Sequence, residues 1–260
     1  MKQLIIGLSI ITLFGCKEVK KNNIDVAQNQ TTNISSETLK IIPISHASAV
    51  IETASTTLFI DPVGDANVYS TYAAPDILLI TDIHGDHFSL ETLIKLKLTT
   101  TTVIAPKAVA DKFPDSFAPK EIIILNNGEH YTNATVAIEA IPMYNLRPEA
   151  ATFHVKGRGN GYVISIAGER LYFSGDTEDI PEMRKLKNID RAFVCMNLPY
   201  TMTEERAASA VLDFKPKKVY PYHYRGRPDV SDVEKFKQLV NNGNSAIEVV
   251  QLDWYPNEMY

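Results

Sequence analysis

The chain has 260 residues, 45% apolar and 22% charged, enough to bury the core of one large domain or two small ones, which excludes wholesale disorder. With 26 basic and 31 acidic residues the formal charge is -5, and no basic stripe with interleaved aromatics appears, which argues against nucleic acid as a partner. Two cysteines, Cys16 and Cys195, lie in unlike surroundings, so a disulfide framework is excluded and the fold must rest on apolar burial.

Lys2 and the apolar run Leu4 to Phe14 have the charged start and short hydrophobic stretch of an export signal over residues 1–15. The run is too short for a comfortable membrane span. It ends at Leu13-Phe14-Gly15-Cys16, which resembles the lipobox of bacterial lipoproteins and implies a chain anchored to a membrane of the bacterial cell envelope through lipidated Cys16. A plain secretory signal with an incidental cysteine is the alternative. Residues 16–38 are rich in Lys, Asn, Gln, Thr and Ser without a sustained period and read as a flexible tether. Such a tether would hold the folded part on the order of 25 Å from the anchor.

The folded domain is expected over 39–260. Short β-rich runs at 39–44, 49–53 and 57–61 predict an opening antiparallel meander, and 76–81 a continuous apolar strand. Ser89 is placed to cap a helix running to about Lys97, with Glu91 in its first turn. Further strands are predicted at 102–105, 121–126, 134–142, 161–167, 170–174, 191–196, 217–222 and 247–252, and helices at 107–112, 203–213 and 230–239. Strands come first and then alternate with helices without a Pro- or Gly-rich linker, which predicts an α/β domain with sheets sandwiched between helices.

The chemistry is concentrated in Thr81-Asp82-Ile83-His84-Gly85-Asp86-His87-Phe88, where four metal-ligand side chains follow a buried strand. Side chains two apart in an extended loop point the same way, so Asp82 and His84 can share one ion, and a turn at Gly85 can present Asp86 and His87 to a second. Two ions roughly 3.5 to 4 Å apart are an arrangement that activates water for hydrolysis. Asp176, in Ser174-Gly175-Asp176-Thr177, and His223, in Tyr222-His223-Tyr224, each end another apolar strand and can join the same site.

On these residues the chain resembles the metallo-β-lactamase superfamily, whose signature is His-x-His-x-Asp-His, a later bridging Asp in a Gly-Asp-Thr segment and a final His after a late strand. More narrowly it resembles the branch related to ascorbate-6-phosphate lactonase. The stretches that carry this are Ile44-Ser45-His46-Ala47-Ser48, Phe59-Ile60-Asp61-Pro62-Val63, Pro142-Met143-Tyr144-Asn145, Gly159-Asn160-Gly161-Tyr162, Gly175-Asp176-Thr177-Glu178 and Tyr200-Thr201-Met202-Thr203. The resemblance implies a four-layer αββα sandwich, with His84 on a first ion, Asp86, His87 and His223 on a second, and Asp176 bridging them. Asp82 stands where the signature has its first His, and Asn145 falls near where many members present a third. His154 is open to three roles: a substitute ligand for the first ion, a substrate contact or proton donor, and a plain loop histidine.

Two divalent ions facing two carboxylates and a hydroxide keep about one net positive charge, and Asp82 would lower that sum to about zero. A less acidic metal pair follows, with zinc expected and manganese or iron admitted by the harder oxygen donor. The implied reaction is hydrolysis of a lactone, amide or phosphoester, with Asp86 orienting the nucleophile and His154, Tyr144 or Tyr200 candidates for the leaving-group proton. The substrate is a small molecule or, as in the N-acyl-phosphatidylethanolamine phospholipase branch of the same superfamily, a membrane lipid. A non-catalytic binding protein in which Asp82 and Asn145 have dismantled one site is the reading from another class. His46 reads as a hydrogen-bonded packing residue or a support for a ligand, and Asp61-Pro62 as a turn whose carboxylate can orient one. His130 reads as part of a solvated turn, Cys195 as buried and inert, and Lys156 and Arg158 as either an anion contact or a solvated loop.

Overall fold

The computed structural model describes residues 39–256. The expected export signal, Cys16 and tether lie outside the described residues. Among the described residues no helix is long and apolar enough to cross a membrane.

The first sheet holds β1 (Lys40–Ser45), β2 (Ser48–Glu52), β3 (Thr57–Ile60), β4 (Ile77–Leu79), β5 (Thr102–Ala105) and β6 (Glu121–Ile124) in sequential order. The first three strands form the antiparallel meander that the sequence predicts, and β3 to β6 run parallel. The second sheet holds β7 (His130–Thr132), β8 (Val136–Met143), β9 (Gly159–Ile166), β10 (Glu169–Phe173), β11 (Arg191–Cys195), β12 (Lys218–Tyr222) and β13 (Glu248–Val249), again in sequential order. Its strands are antiparallel from β7 to β10 and parallel from β10 to β13.

Side-chain alternation along the strands separates two apolar layers. Val50, Phe59, Leu78 and Val103 lie in register on one face of the first sheet and pack with Leu93 of α1 (Leu90–Lys95), Val109 of α2 (Lys107–Ala110) and Tyr69 of a 3₁₀ turn (Ala66–Thr71). The alternate residues Ile51, Leu58, Ile77 and Leu79 join the second cluster with Ile138, Tyr162 and Ile164 of the second sheet. That cluster continues to Ala207 and Val211 of α4 (Glu204–Phe214) and Phe236 and Val240 of α5 (Val233–Gly243). The result is the expected four-layer αββα sandwich.

Local chemistry sets the helix starts. The side chains of Ser89, Thr203 and Asp232 accept hydrogen bonds from Thr92, Arg206 and Lys235 and so cap α1, α4 and α5. The Asp232 cap starts the last helix three residues later than its apolar period predicts. A short α3 (Pro181–Arg184) begins with proline at its first turn. The expected turn around His130 is corrected: the Asn126–Glu129 reversal sends the chain back as edge strand β7, with His130 opposite Glu139. Only Tyr131 of its three residues packs against the core, too short a run to read an alternation from, and His130 still faces solvent.

Candidate metal centre

The parallel strands discharge at one place. Asp61 follows β3, the 81–87 segment follows β4, and Asp176, Asn197 and His223 follow β10, β11 and β12. Carboxyl ends of parallel strands are where open α/β sheets place their ligands, because loops from neighbouring strands diverge there around a crevice. The longest contribution is the 144–158 connection between β8 and β9, which carries Asn145, His154 and Arg158.

Among the described residues two groups of three donors have ligand atoms within 4.8 Å of one another: Asp82, His84 and His154, and Asp86, His87 and His223. In the first, His84 Nδ1 is 2.6 Å from Asp82 Oδ2, and His154 Nε2 is 4.0 Å from the same oxygen. In the second, the Nε2 atoms of His87 and His223 converge to 3.2 Å, with Asp86 Oδ2 3.3 Å from His223. Asp176 stands between the groups: Oδ2 lies 3.2 Å from His154 and 3.5 Å from His87, and Oδ1 lies 3.3 Å from His223. Buried Asp176 Oδ1 accepts no hydrogen bond of its own. Carboxylate and imidazole lone pairs aimed at two common points, with a buried oxygen left over between them, fit a pair of divalent cations.

The supports show how the donors are held. Buried Asp61 accepts from Thr81 through N at 2.7 Å and Oγ1 at 2.5 Å, and lies 2.8 Å from His87 Nδ1. That contact puts the His87 proton on Nδ1 and turns the Nε2 lone pair into the site. Asn145 does the equivalent for His154, its Oδ1 3.4 Å from Nδ1, while its amide nitrogen donates to the carbonyls of Ala150 and Tyr200. Asn197 donates to Asp176 Oδ2 at 3.2 Å. Gly175 before Asp176 has φ +59, and a Cβ there would lie 2.6 Å from Met143 Sδ. His46, Asp61 and His223 also adopt left-handed backbone, at φ 51, 43 and 43. Non-glycine residues persist there only where the surroundings over-determine them, at about 1 to 3 kcal/mol each.

Electrostatics biases the cluster toward cations. Burial opposes charge on His223 and His87, yet Asp176 beside both raises His223 to about 9 and, together with Asp61, holds His87 well above the usual imidazole range. Burial likewise opposes charge on Asp176, and the two imidazoles nevertheless hold it well below the usual carboxyl range. Burial, then neighbouring His223, lower His46 to about 4. Burial pushes the Cys195 thiol up to about 12, as its reading as inert expects.

All six sequence-predicted donors and His154 are brought together. His154, left open among three roles, sits with Asp82 and His84. Tyr144 is turned away as a proton donor: its hydroxyl donates to Glu182 and Lys156 lies over its ring. Lys156 is bound to Glu182 at 2.7 Å. Arg158 is mostly buried and turned to a carboxylate of the chain itself. Its Nε and Nη2 meet both oxygens of Asp82 at 3.2 and 3.1 Å, which sets a guanidinium charge beside the carboxylate. Sequence reasoning missed this clamp and the Asn197 support, because neither has a spacing relation to the residue it serves.

The site opens into a cleft of about 700 Å³ lined by His46, His84, Asp86, Phe153, His154, Asp176, Asn197, Tyr200 and the segment Arg225, Gly226, Arg227 and Pro228. Its floor is reached through His84 and Asp86, whose side chains are 38% and 42% exposed. Behind the cleft, Arg147 ties three loops together, donating to Glu178 at 2.6 Å and to the carbonyls of Pro199 and Thr201.

Residues 40–223 match the profile of the beta-lactamase superfamily domain. The chain belongs to the metallo-β-lactamase superfamily. Within the superfamily, it is 30% identical over 219 residues to a UPF0173 metal-dependent hydrolase of Thermococcus onnurineus, covering 80% of this chain and 95% of that one. The crystal structure of a candidate metal-dependent hydrolase from Parabacteroides distasonis superposes with a TM-score of 0.72 at 36% identity, over 82% of this chain and 92% of the other. The superfamily fold also serves CmlA, a β-hydroxylase of Streptomyces venezuelae, with a TM-score of 0.60 at 17% identity over 83% of this chain and 53% of that chain. The fold alone therefore does not choose the reaction; the side chains of the site do.

Proposed function

We propose that this metal-dependent hydrolase uses a two-ion centre to cleave a lactone, amide or phosphoester in a polar small molecule, at the bacterial cell envelope through lipidated Cys16. The observation that carries the reading is the pairing of two three-donor groups across Asp176. The first ion would be held by Asp82, His84 and His154, the second by Asp86, His87 and His223, with Asp176 shared. Bound there, zinc, or manganese or iron, would supply an acidified water as nucleophile and positive charge for the oxyanion.

The chain's own groups do the rest. Asp86, partly exposed at the floor of the cleft, accepts a hydrogen bond from the nucleophile and orients it. Asp61, Asn145 and Asn197 fix the donors so that little reorganisation is needed as charge develops. His154 is occupied as a donor, which leaves Tyr200 on the cleft wall as the side chain placed to give a proton to the leaving group. Arg225 and Arg227 give the wall basic character suited to a substrate with an anionic group, and Phe153 and Tyr200 are its only large aromatic side chains among the described residues. This lining supports a polar small molecule over an acyl chain. The ascorbate-6-phosphate lactonase-like reading is a finer version of the same proposal.

The test is metal content per chain of the full-length protein in detergent, with turnover of a chromogenic lactone, amide and phosphodiester, alongside Asp176→Asn. Two ions per chain and a turnover that the substitution abolishes are expected. One ion and no turnover across the panel would favour a binding protein instead.

A further inference from the structure

We propose that Arg158 is a positioning residue that joins Asp82 to form a neutral oxygen-donor unit, standing in for the imidazole that the superfamily signature places at position 82. The inference rests on the two-ion reading above and concerns how this chain completes the first of the two sites.

Three observations carry it. Arg158 grips both carboxylate oxygens of Asp82, and the pair is largely closed off, with the Arg158 side chain 19% and the Asp82 side chain 0% exposed. A carboxylate has about four lone-pair positions, so a bidentate fork leaves others free. On Oδ2 the remaining direction faces His84 Nδ1 at 2.6 Å and His154 Nε2 at 4.0 Å, the point on which the first group converges. Second, the charge balances. Asp82 is fully buried and both of its oxygens accept hydrogen bonds from the Arg158 fork, the geometry of a carboxylate–guanidinium pair. The guanidinium offsets that anion, and the pair presents a neutral donor, as an imidazole would. Third, one turn supplies both replacements. Arg158 N donates to Val155 O at 3.1 Å, and its Nη2 donates to Phe153 O, the carbonyl preceding His154. The guanidinium thus joins the backbone that presents His154 to the carboxylate that His154 faces. The two departures at positions 82 and 145 are answered within five residues of one loop.

The test is a cycle on the full-length protein in detergent: wild type, Arg158→Met, Asp82→His and the double variant, each loaded with zinc or manganese. Ions per chain are counted by elemental analysis and dissociation constants taken by competition with a chelating indicator. Arg158→Met is expected to weaken the first ion about 10- to 100-fold, the usual effect of losing a residue that orients a ligand, while the second ion stays and reports that the domain is folded. Asp82→His is expected to lose the first ion as well, because an unpartnered guanidinium then faces the imidazoles. The double variant is expected to regain two ions and to prefer zinc over manganese more than wild type does. Arg158→Lys keeps the charge without the fork and is expected to fall between wild type and Arg158→Met. A double variant no better than the weaker single one, or Arg158→Met with both dissociation constants unchanged, would overturn the inference. Wild type with fewer than two ions would overturn the two-ion reading itself.

Discussion

The two donor groups of the candidate metal centre are built differently, each forming one half of it. The half around Asp86, His87 and His223 draws only on the segment after β4 and on the end of β12, and its key imidazole is held by Asp61 directly after β3. The half around Asp82 and His84 is finished by His154 and Arg158, which arrive on the 144–158 connection and are held by side chains such as Asn145. Strand ends fix position through the ladders and the core beneath them, whereas a long loop must be fixed by its own polar contacts. Substitutions on the long loop should therefore act on the first ion, and substitutions in the network beneath β3 on the second.

The largest break is expected where the halves meet. Asp176→Ala removes the one carboxylate shared between them among the described residues, so both ions should be lost, with turnover in the proposed reaction down by about three orders of magnitude or more. Elemental analysis and a fixed-substrate rate check this together. Asp61→Ala is next. It strips Thr81 N, Thr81 Oγ1 and His87 Nδ1 of their common partner, and a buried carboxylate lost from such a network costs about 3 to 5 kcal/mol. Thermal unfolding should shift down, and the second ion should weaken about 10- to 100-fold while the first is kept. Loss of the first ion instead would reverse the assignment of the halves.

The same division explains what could be read before the structure was known. The 82–87 cluster, Asp176 and His223 are legible because each follows an apolar run whose strand character is plain in its residues. The sandwich is legible because strands such as Ile77–Leu79 are continuous and buried on both faces. Asp61 was visible as a turn able to support a ligand, since it too follows a strand. Arg158 was not, because its partner lies 76 positions away and a Gly-rich turn with two basic residues has no period that points anywhere. β7 was missed because an exposed edge strand of three residues buries nothing on one side, and burial is what alternation records.

The raised imidazoles sharpen the comparison through pH. His223 binds its proton up to about 9 in the folded chain against an ordinary value of 6.5, and His87 is shifted the same way. For protein freed of metal, the stability these groups contribute is fully present below about pH 6.5 and is lost as pH rises through about 9. Metal uptake has the opposite sign, because each imidazole must give up its proton to bind an ion. The rise in unfolding temperature on adding zinc should therefore grow from pH 6.5 to 9. Protons released per zinc, followed in weak buffer, should be fewer at pH 9.5 than at 7.5. Equal release at both would mean that these two imidazoles are not where the metal binds.

The smallest expected effect isolates the loop-built half. Asn145 reaches His154 Nδ1 with a carbonyl oxygen at 3.4 Å, a long and neutral contact, so Asn145→Ala should cost the first ion about tenfold, toward the lower end of the range for residues that orient a ligand. Part of that loss comes through the backbone, since the Asn145 amide also holds the carbonyls of Ala150 and Tyr200. Asn145→Asp separates the two contributions: a carboxylate keeps an acceptor for His154 but has no amide to donate to those carbonyls. If orientation of His154 dominates, Asn145→Asp should hold the first ion better than Asn145→Ala in the same chelator competition. If both variants lose it equally, the loop position itself is what Asn145 supplies, and the first half depends on chain packing more than on any single hydrogen bond to its imidazole.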